Sequence, residues 1–476
     1  MNEKERTKRI FPKGKKVYFI DTSVIMHDPS VVEKLSSDNN IVVLSVCVLA
    51  ELDKAKKFQD EKGVNARTVS RLLDEYRAQG SLNIGVKTKR DGVIVVDCNG
   101  TEKSFKKFMP GMEKTNDNRI IATALQWKTE SGTRYEKIAL ISKDINLRVT
   151  ANAFGLDAED YENDKSIQKL DELYAGFAKL SLDEPELIGE IHRNSFFPVA
   201  GLSETSRAKI NLLFPNQCLE LEVGGKTALA IFKKAKGVLE CVQKSRVKGD
   251  GREKKLAVTP RNEEQALAYK LLMDPSISLV ALSGTAGTGK TLFALLAALE
   301  QLEQYRYIKV YRPNEEIGNK LGFLPGDLGD KFAPWMEPIF DNLKILLKNS
   351  DDQGSGKPYG SKGNKMTMDH LMENGTLEIS PLNFVRGRSI SDSFMIVDET
   401  QNITPGLAKT ILTRAGENTK VVLTGDCSQI DTPYLDSVSN GLTHVIERFK
   451  GQEVFGTITL RMGERSEFSK LVAQLL

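Results

Sequence analysis

The sequence predicts an α/β protein in three parts: an α/β region at the N-terminus, a small, mainly β module in the middle, and a second α/β region at the C-terminus. Three observations carry this. Residues 15–150 alternate short β-type runs with stretches of helical period, the pattern of a mainly parallel sheet covered by helices. The middle segment "QCLELEVGGKTALAIFKKAKGVLECV" has β-type runs around a Gly-Gly turn. Further on, the apolar run "SISLVALS" enters a glycine-rich loop and then an apolar helix.

In order, residues 1–14 form a basic arm that lacks the apolar stretch of a signal peptide. In the first domain, 15–162, "VYFI" and "NIVVLS" read as strands, followed by the helical "VLAELDKAKKFQ" and "ARTVSRLLDEYRAQG". "GVIVVDC" and "KIALISKD" are strands again, around the helical "DNRIIATALQWKTE". Residues 163–255 hold the β-rich module, and "KSRVKGDGREKKLAVTPRN", which follows it and runs on past 255, reads as a charged linker. Its Lys244, Arg246, Lys248, Lys254 and Lys255 can meet phosphates or simply be solvated. The last domain, 256–476, contains the polar "KNSDDQGSGKPYGSKGNK" (348–365), expected to be a mobile surface loop.

Composition excludes several classes. The chain has 476 residues, enough for two or three domains with real cores. Cys47, Cys98, Cys218, Cys241 and Cys427 are scattered without a C-x-x-C pair, which argues against a disulfide framework or a cysteine zinc site. No run of about 18 apolar residues is present, so no membrane-spanning helix is expected and a cytoplasmic protein is. The net charge of +3 says little about partners.

"GTAGTGKT" (284–291), between a β-type run and an apolar helix, has the form of a phosphate-binding loop. Gly284, Gly287 and Gly289 let the backbone curl, so that the N–H groups of Gly284, Thr285, Ala286, Gly287, Thr288 and Gly289 can face a phosphate chain at a helix N-terminus. Lys290 would reach the β- and γ-phosphates of ATP and Thr291 would offer its hydroxyl to Mg²⁺. A second strand, "FMIV", ends in Asp398 and Glu399, where Asp398 can hold the metal and Glu399 can act on the attacking water. A third strand ends in "GDCSQ", where Asp426 and Gln429 can sense the γ-phosphate or merely make a turn.

The N-terminal region carries its own pattern of acids. Asp21 follows the strand "VYFI", Glu51 lies near the start of a helix after a strand, Asp117 opens a helix, and Asp144 follows "IALIS". A lone Asp in such a place caps a helix more often than it ligates. A parallel sheet, however, can gather acids at strand-to-helix junctions along its carboxyl edge, where α/β folds place ligands. Four such carboxylates repel one another, and Mg²⁺ or Mn²⁺ with oxygen ligands resolves the conflict. Ions held there can activate water and steady the leaving oxygen of a phosphodiester. Thr22 and Ser23 can bond these carboxylates, a metal-bound water, or the local turn.

These strings carry family resemblances. "GTAGTGKT", "DETQ" and "GDCSQ" resemble the core of superfamily 1 helicases, and "TPRNEEQALAYK" resembles their adenine-reading motif, which implies Gln265 as the adenine contact. "RPNEEIGNKLGFLPGDLGDKFAPWMEPIFDNL", "PYLDSVSNGLTHVIERFK" and "GERSEFSKLVAQLL" resemble PhoH-like ATPases across 256–476, with Asn314 where an apolar residue is expected. That resemblance implies a single RecA-like P-loop core in a homohexameric ring, each site completed by a neighbour's arginine, with Arg386, Arg388 and Arg465 as candidates. "FIDTSVIMHDP", "VLAELDKAKK", "NDNRIIATAL" and "LISKDINLRVTANAFGLDAEDY" resemble a PIN-domain nuclease of α/β/α form over about 15–162. Asp21, Glu51, Asp117 and Asp144 fall on that family's four acidic positions. The whole chain resembles bacterial PIN–PhoH fusion proteins, which implies an ATP-dependent RNA helicase joined to a metal-dependent endoribonuclease, or an RNA remodeller whose PIN domain binds without cutting.

Overall fold

The computed structural model describes residues 16–58, 61–98, 102–161, 169–243, 258–313, 328–351, 367–385, 387, 389–432 and 435–463. The basic arm 1–14, Lys244, Arg246, Lys248, Lys254, Lys255, Asn314, Arg386, Arg388, Arg465 and most of 348–365 lie outside these residues. The chain divides into two compact units, Met1–Asp164 and Lys165–Leu476. No helix among the described residues is long and apolar enough to cross a membrane.

In the first unit, β1 (Lys16–Ile20), β2 (Ile41–Ser45), β3 (Val86–Lys87), β4 (Val93–Asp97), β5 (Lys137–Ile141) and β6 (Asp157–Glu159) form one sheet in the order β3-β4-β2-β1-β5-β6. All its pairings are parallel except that of the short edge strand β3 with β4. Helices cover both faces, so β2 and β4 are buried at every residue and read as unbroken apolar runs. The chain leaves β1 toward β2 on one side and returns to β5 on the other. The crevice at the carboxyl ends of β1 and β5 is thus the topological switch point, where this architecture places ligands. Phe19 packs edge-on against Trp127 at 5.7 Å, and the indole N–H donates to buried Asp97 at 2.5 Å, closing the core beneath the sheet.

The second unit holds two sheets. β7 (Phe177–Ser181), β8 (Phe196–Pro198), β9 (Cys218–Val223), β10 (Lys226–Lys233) and β11 (Val238–Val242) form a mainly antiparallel sheet in the order β7-β9-β10-β11-β8. The β9–β10 hairpin turns on Gly224 and Gly225, both at positive φ. Helices Leu187–Asn194 and Glu204–Asn211, which the sequence reading passed over, also belong to this module. β12 (Leu279–Gly284), β13 (Tyr307–Arg312), β14 (Leu377–Pro381), β15 (Ser393–Val397), β16 (Lys420–Gly425) and β17 (Phe455–Leu460) form an all-parallel sheet in the order β14-β13-β15-β16-β12-β17. Its glycine-rich loop joins β12 to the helix Lys290–Glu300, and the ends of β16, the neighbouring strand, and of β15, one strand further, lie at the same edge.

Candidate functional site

The first site lies at the carboxyl edge of the N-terminal sheet. Asp21 is 4% exposed and is both a helix cap and a member of the acidic cluster. Its Oδ2 accepts the Ser23 N–H at 3.2 Å, the Ser142 hydroxyl at 2.9 Å and the Ser23 hydroxyl. Ser142 Oγ in turn accepts the Asp144 N–H at 3.0 Å, so one hydroxyl links the ends of β1 and β5. Asp144 caps the helix Ile145–Ala153 through Oδ1, taking the N–H groups of Asn146 and Leu147 at 2.8 and 3.1 Å. Capping and ligation are compatible here, because capping occupies one oxygen of each carboxylate.

Glu51 sits in the second turn of the helix Val46–Ala55, further from the strand end than the sequence reading placed it. Its side chain is aimed from two sides. Asn116 Nδ2 donates to Oε1 at 2.8 Å, and the Thr22 hydroxyl donates to Oε2. Asp117 opens the helix Asn116–Ser131, which Thr115 caps. Burial first, then the charges of Asp21, Glu51 and Asp144, push the Asp117 carboxyl up to about 6. Burial also pushes Asp21 up, against the hydroxyl and N–H bonds it accepts. The four acids therefore act on one another across the switch point. Among the described residues, no three of them form a closed ligand set as they stand. An oxygen-only donor set of like-charged carboxylates matches a hard divalent cation.

The second site is built on β12. Gly284 has φ 144°, and a Cβ there would lie 2.1 Å from the Leu460 carbonyl oxygen of β17, so only glycine fits. Gly289 caps the helix Lys290–Glu300 in the left-handed region, at φ 93°. Thr288 Oγ1 bonds the Thr285 carbonyl at 2.8 Å and shapes the loop between them. Lys290 Nζ folds back onto the carbonyls of Gly284 and Thr285, at 2.7 and 2.9 Å. Burial pulls its ammonium below the usual lysine range, while Asp426, Glu399 and Asp398 push the other way.

Thr291 and Asp398 meet: the hydroxyl donates to Oδ1 at 2.9 Å, and Thr424 of β16 donates to the same oxygen at 2.5 Å. Glu399 has φ 53°, and Gln401, 1% exposed, bridges it to the third strand end. Gln401 Nε2 donates to Glu399 Oε2 at 2.6 Å and to the Gln429 carbonyl at 3.0 Å, while Gln401 Oε1 accepts the Asp426 N–H at 3.0 Å. Gln265 is buried against the loop, donating to the Thr288 carbonyl at 3.1 Å and accepting the Arg261 N–H at 2.8 Å. Sequence patterns assign no role to Ser142 and Asn116 in the first site or to Thr424 and Gln401 in the second.

Known proteins match the two halves separately and together. The family described as "PIN domain" matches residues 18–162, and "PhoH-like protein" matches 257–475. "Protein PhoH2" of Bacillus subtilis is 40% identical over 471 residues, covering 97% of this chain and 100% of that protein. "Protein PhoH2" of Mycolicibacterium smegmatis is 32% identical over 469 residues, 97% of each chain. "Protein PhoH" of Escherichia coli K12 is 38% identical over 151 residues, 32% of this chain and 38% of that one. The chain belongs to the PhoH2 family, in which a PIN domain precedes a PhoH-like P-loop ATPase domain.

Proposed function

We propose that the protein is an ATP-dependent RNA helicase coupled to a metal-dependent endoribonuclease in the cytoplasm. At the nucleotide site the backbone N–H groups of 284–289 cradle the phosphates, and Lys290 leaves its two carbonyls to reach them. Thr291 and Asp398 hold Mg²⁺, Glu399 orients and deprotonates the attacking water, Gln429 senses the γ-phosphate and Gln265 meets the adenine. In a homohexamer, Arg386, Arg388 or Arg465 of a neighbour completes the site. At the acidic site Asp21, Glu51, Asp117 and Asp144 hold Mg²⁺ or Mn²⁺, which when bound supplies Lewis-acid activation of water and charge at the leaving oxygen. Ser23 and Ser142 fix Asp21, while Thr22 and Asn116 fix Glu51.

The observation that carries this reading is the gathering of acids at one sheet edge: Ser142 ties Asp21 to the Asp144 backbone, Thr22 and Asn116 aim Glu51, and the charges of Asp21, Glu51 and Asp144 all act on Asp117. Like-charged carboxylates gathered at one place are costly to the apo fold and useful to a cation. The test is cleavage of labelled single-stranded RNA with Mg²⁺ or Mn²⁺ by the parent, Asp21→Asn and Lys290→Ala. Cutting by the parent that disappears in Asp21→Asn supports the nuclease. A tailed duplex cut faster with ATP by the parent, and not by Lys290→Ala, supports the coupling. The absence of a closed acid set among the described residues favours a second reading, a remodelling ATPase with a non-cleaving PIN scaffold. RNA-stimulated ATP hydrolysis with no cutting by either metal selects that reading.

A further inference from the structure

Glu399, the candidate base, is held away from its task. Its backbone is left-handed at φ 53°, a conformation that costs a side-chain-bearing residue energy and recurs at functional sites. Both carboxylate oxygens are engaged: Oε2 by Gln401 at 2.6 Å, and Oε1 by Arg312 Nη2 at 3.2 Å. Arg312 closes β13, the strand beside β15, and the register is fixed by the Asp398 N–H donating to the Tyr311 carbonyl at 2.9 Å. The guanidinium thus reaches Glu399 from the neighbouring strand end. An oxygen aimed at a guanidinium is not aimed at water.

The strand order says which side Arg312 occupies. β15 and β16 lie between β13 and β12, the strand of the phosphate-binding loop. At 4.7–4.9 Å per strand, the ends of β13 and β12 are about 14 Å apart. Arg312 therefore stands on the far side of Glu399 from the ATP phosphates. The Nη2 contact to Glu399 lies at the long end of the hydrogen-bond range, with side chains 23% and 35% exposed, so a partner of better geometry can compete with Glu399 for the guanidinium. A phosphodiester, which accepts the guanidinium fork through two oxygens, is such a partner.

We propose that Arg312 is a latch on Glu399, released when a backbone phosphate of single-stranded RNA takes its guanidinium. This rests on the ATPase reading above. Once released, Glu399 accepts a proton from water as the water oxygen bonds to the γ-phosphorus. The bond to the β,γ-bridging oxygen breaks, and ADP leaves with that electron pair. Arg312 is a positioning residue that couples RNA contact to hydrolysis.

Steady-state ATP hydrolysis by the full chain, with and without an oligouridylate, tests this in the wild type, Arg312→Gln and Arg312→Lys, with Glu399→Gln as the inactive control. In Arg312→Gln the RNA-free kcat rises roughly threefold or more toward the RNA-stimulated wild-type rate, the stimulation ratio falls to about one, and KM for ATP holds. Arg312→Lys keeps the charge without the fork and gives an intermediate ratio, which carries the test if Arg312→Gln unfolds by circular dichroism. An Arg312→Gln protein with an RNA-free kcat at or below wild type, or with RNA stimulation intact, overturns the latch. Wild-type hydrolysis that ignores RNA overturns the latch alone. A wild type that hydrolyses no ATP removes the ATPase reading with it.

Discussion

Glu51 is aimed by two neutral groups, the Asn116 amide at 2.8 Å and the Thr22 hydroxyl. Neither brings charge, so their contribution is to fix one rotamer of a flexible side chain among like-charged neighbours. Asn116→Ala removes one of the two supports and leaves all four acids in place. The expected result is a loss of Mn²⁺ affinity of about 10- to 100-fold, read by titration calorimetry, with the fold intact by circular dichroism. An unchanged affinity removes Asn116 from the site. The acids themselves were legible in the sequence because Asp21 and Asp144 follow strands, Asp117 opens a helix and Glu51 lies in the helix after β2, elements whose period announces them. Their supports were not. Asn116 meets Glu51 across 65 residues and Ser142 meets Asp21 across 121, and a lone Asn or Ser has no pattern to mark its partner. Thr424, Gln401 and Arg312 escaped for the same reason, since their roles exist only once β13, β15 and β16 are side by side.

The end of the helix Glu263–Met273 gathers charge from three elements. Asp274, its cap, pairs with buried Lys233 of β10, whose Nζ also donates to Asn216 Oδ1 at 2.9 Å. Buried Lys420 of β16 donates to the Asp274 carbonyl at 2.7 Å, and burial pushes its ammonium down to about 7. Against the upward push of its own burial, bonds from Lys233 and Ser276 bring Asp274 down to about 2. An acid depressed from about 3.9 to about 2 adds about 2–3 kcal/mol of stability above pH 4. That share is lost as pH falls toward 2. Lys233→Met strands the carboxylate and costs about 3–5 kcal/mol near neutral pH. In denaturant unfolding of the two proteins, the gap is full at pH 7 and narrows below pH 4. A gap independent of pH assigns the loss to packing. The β-type run that ends in Lys233 could be read from the sequence, whereas a lysine at its end reads as solvated until its partner is known.

The β-rich module and the P-loop core share one interior. Cys218, Leu229, Ile231 and Val242 of the module cluster with Ala266, Leu267, Leu271 and Leu272 of the helix Glu263–Met273. Polar contacts fasten the same boundary: Asn216 Nδ2 donates to the Glu453 and Phe455 carbonyls at 2.7 and 2.9 Å, and the Thr459 N–H donates to the Ala175 carbonyl at 2.9 Å. Gly176 lets the chains approach so closely that a Cβ there would lie 1.9 Å from the Thr457 carbonyl. The sequence could announce the module but not its docking, because an apolar strand face looks the same whether it covers its own sheet or a neighbour's helix. A fragment of residues 256–476 therefore bares the face of Glu263–Met273 that the module covers, whereas 165–476 keeps it buried. Burial is worth about 25 cal/mol per Å² of apolar surface, so losing this contact removes several kcal/mol from a fold whose whole stability is about 5–15. The expected outcome is that 165–476 is monodisperse and unfolds cooperatively on heating. The shorter fragment binds a hydrophobic dye and aggregates or melts at least about 5 °C lower. Equal melting of the two would mean that the P-loop core closes its interior alone.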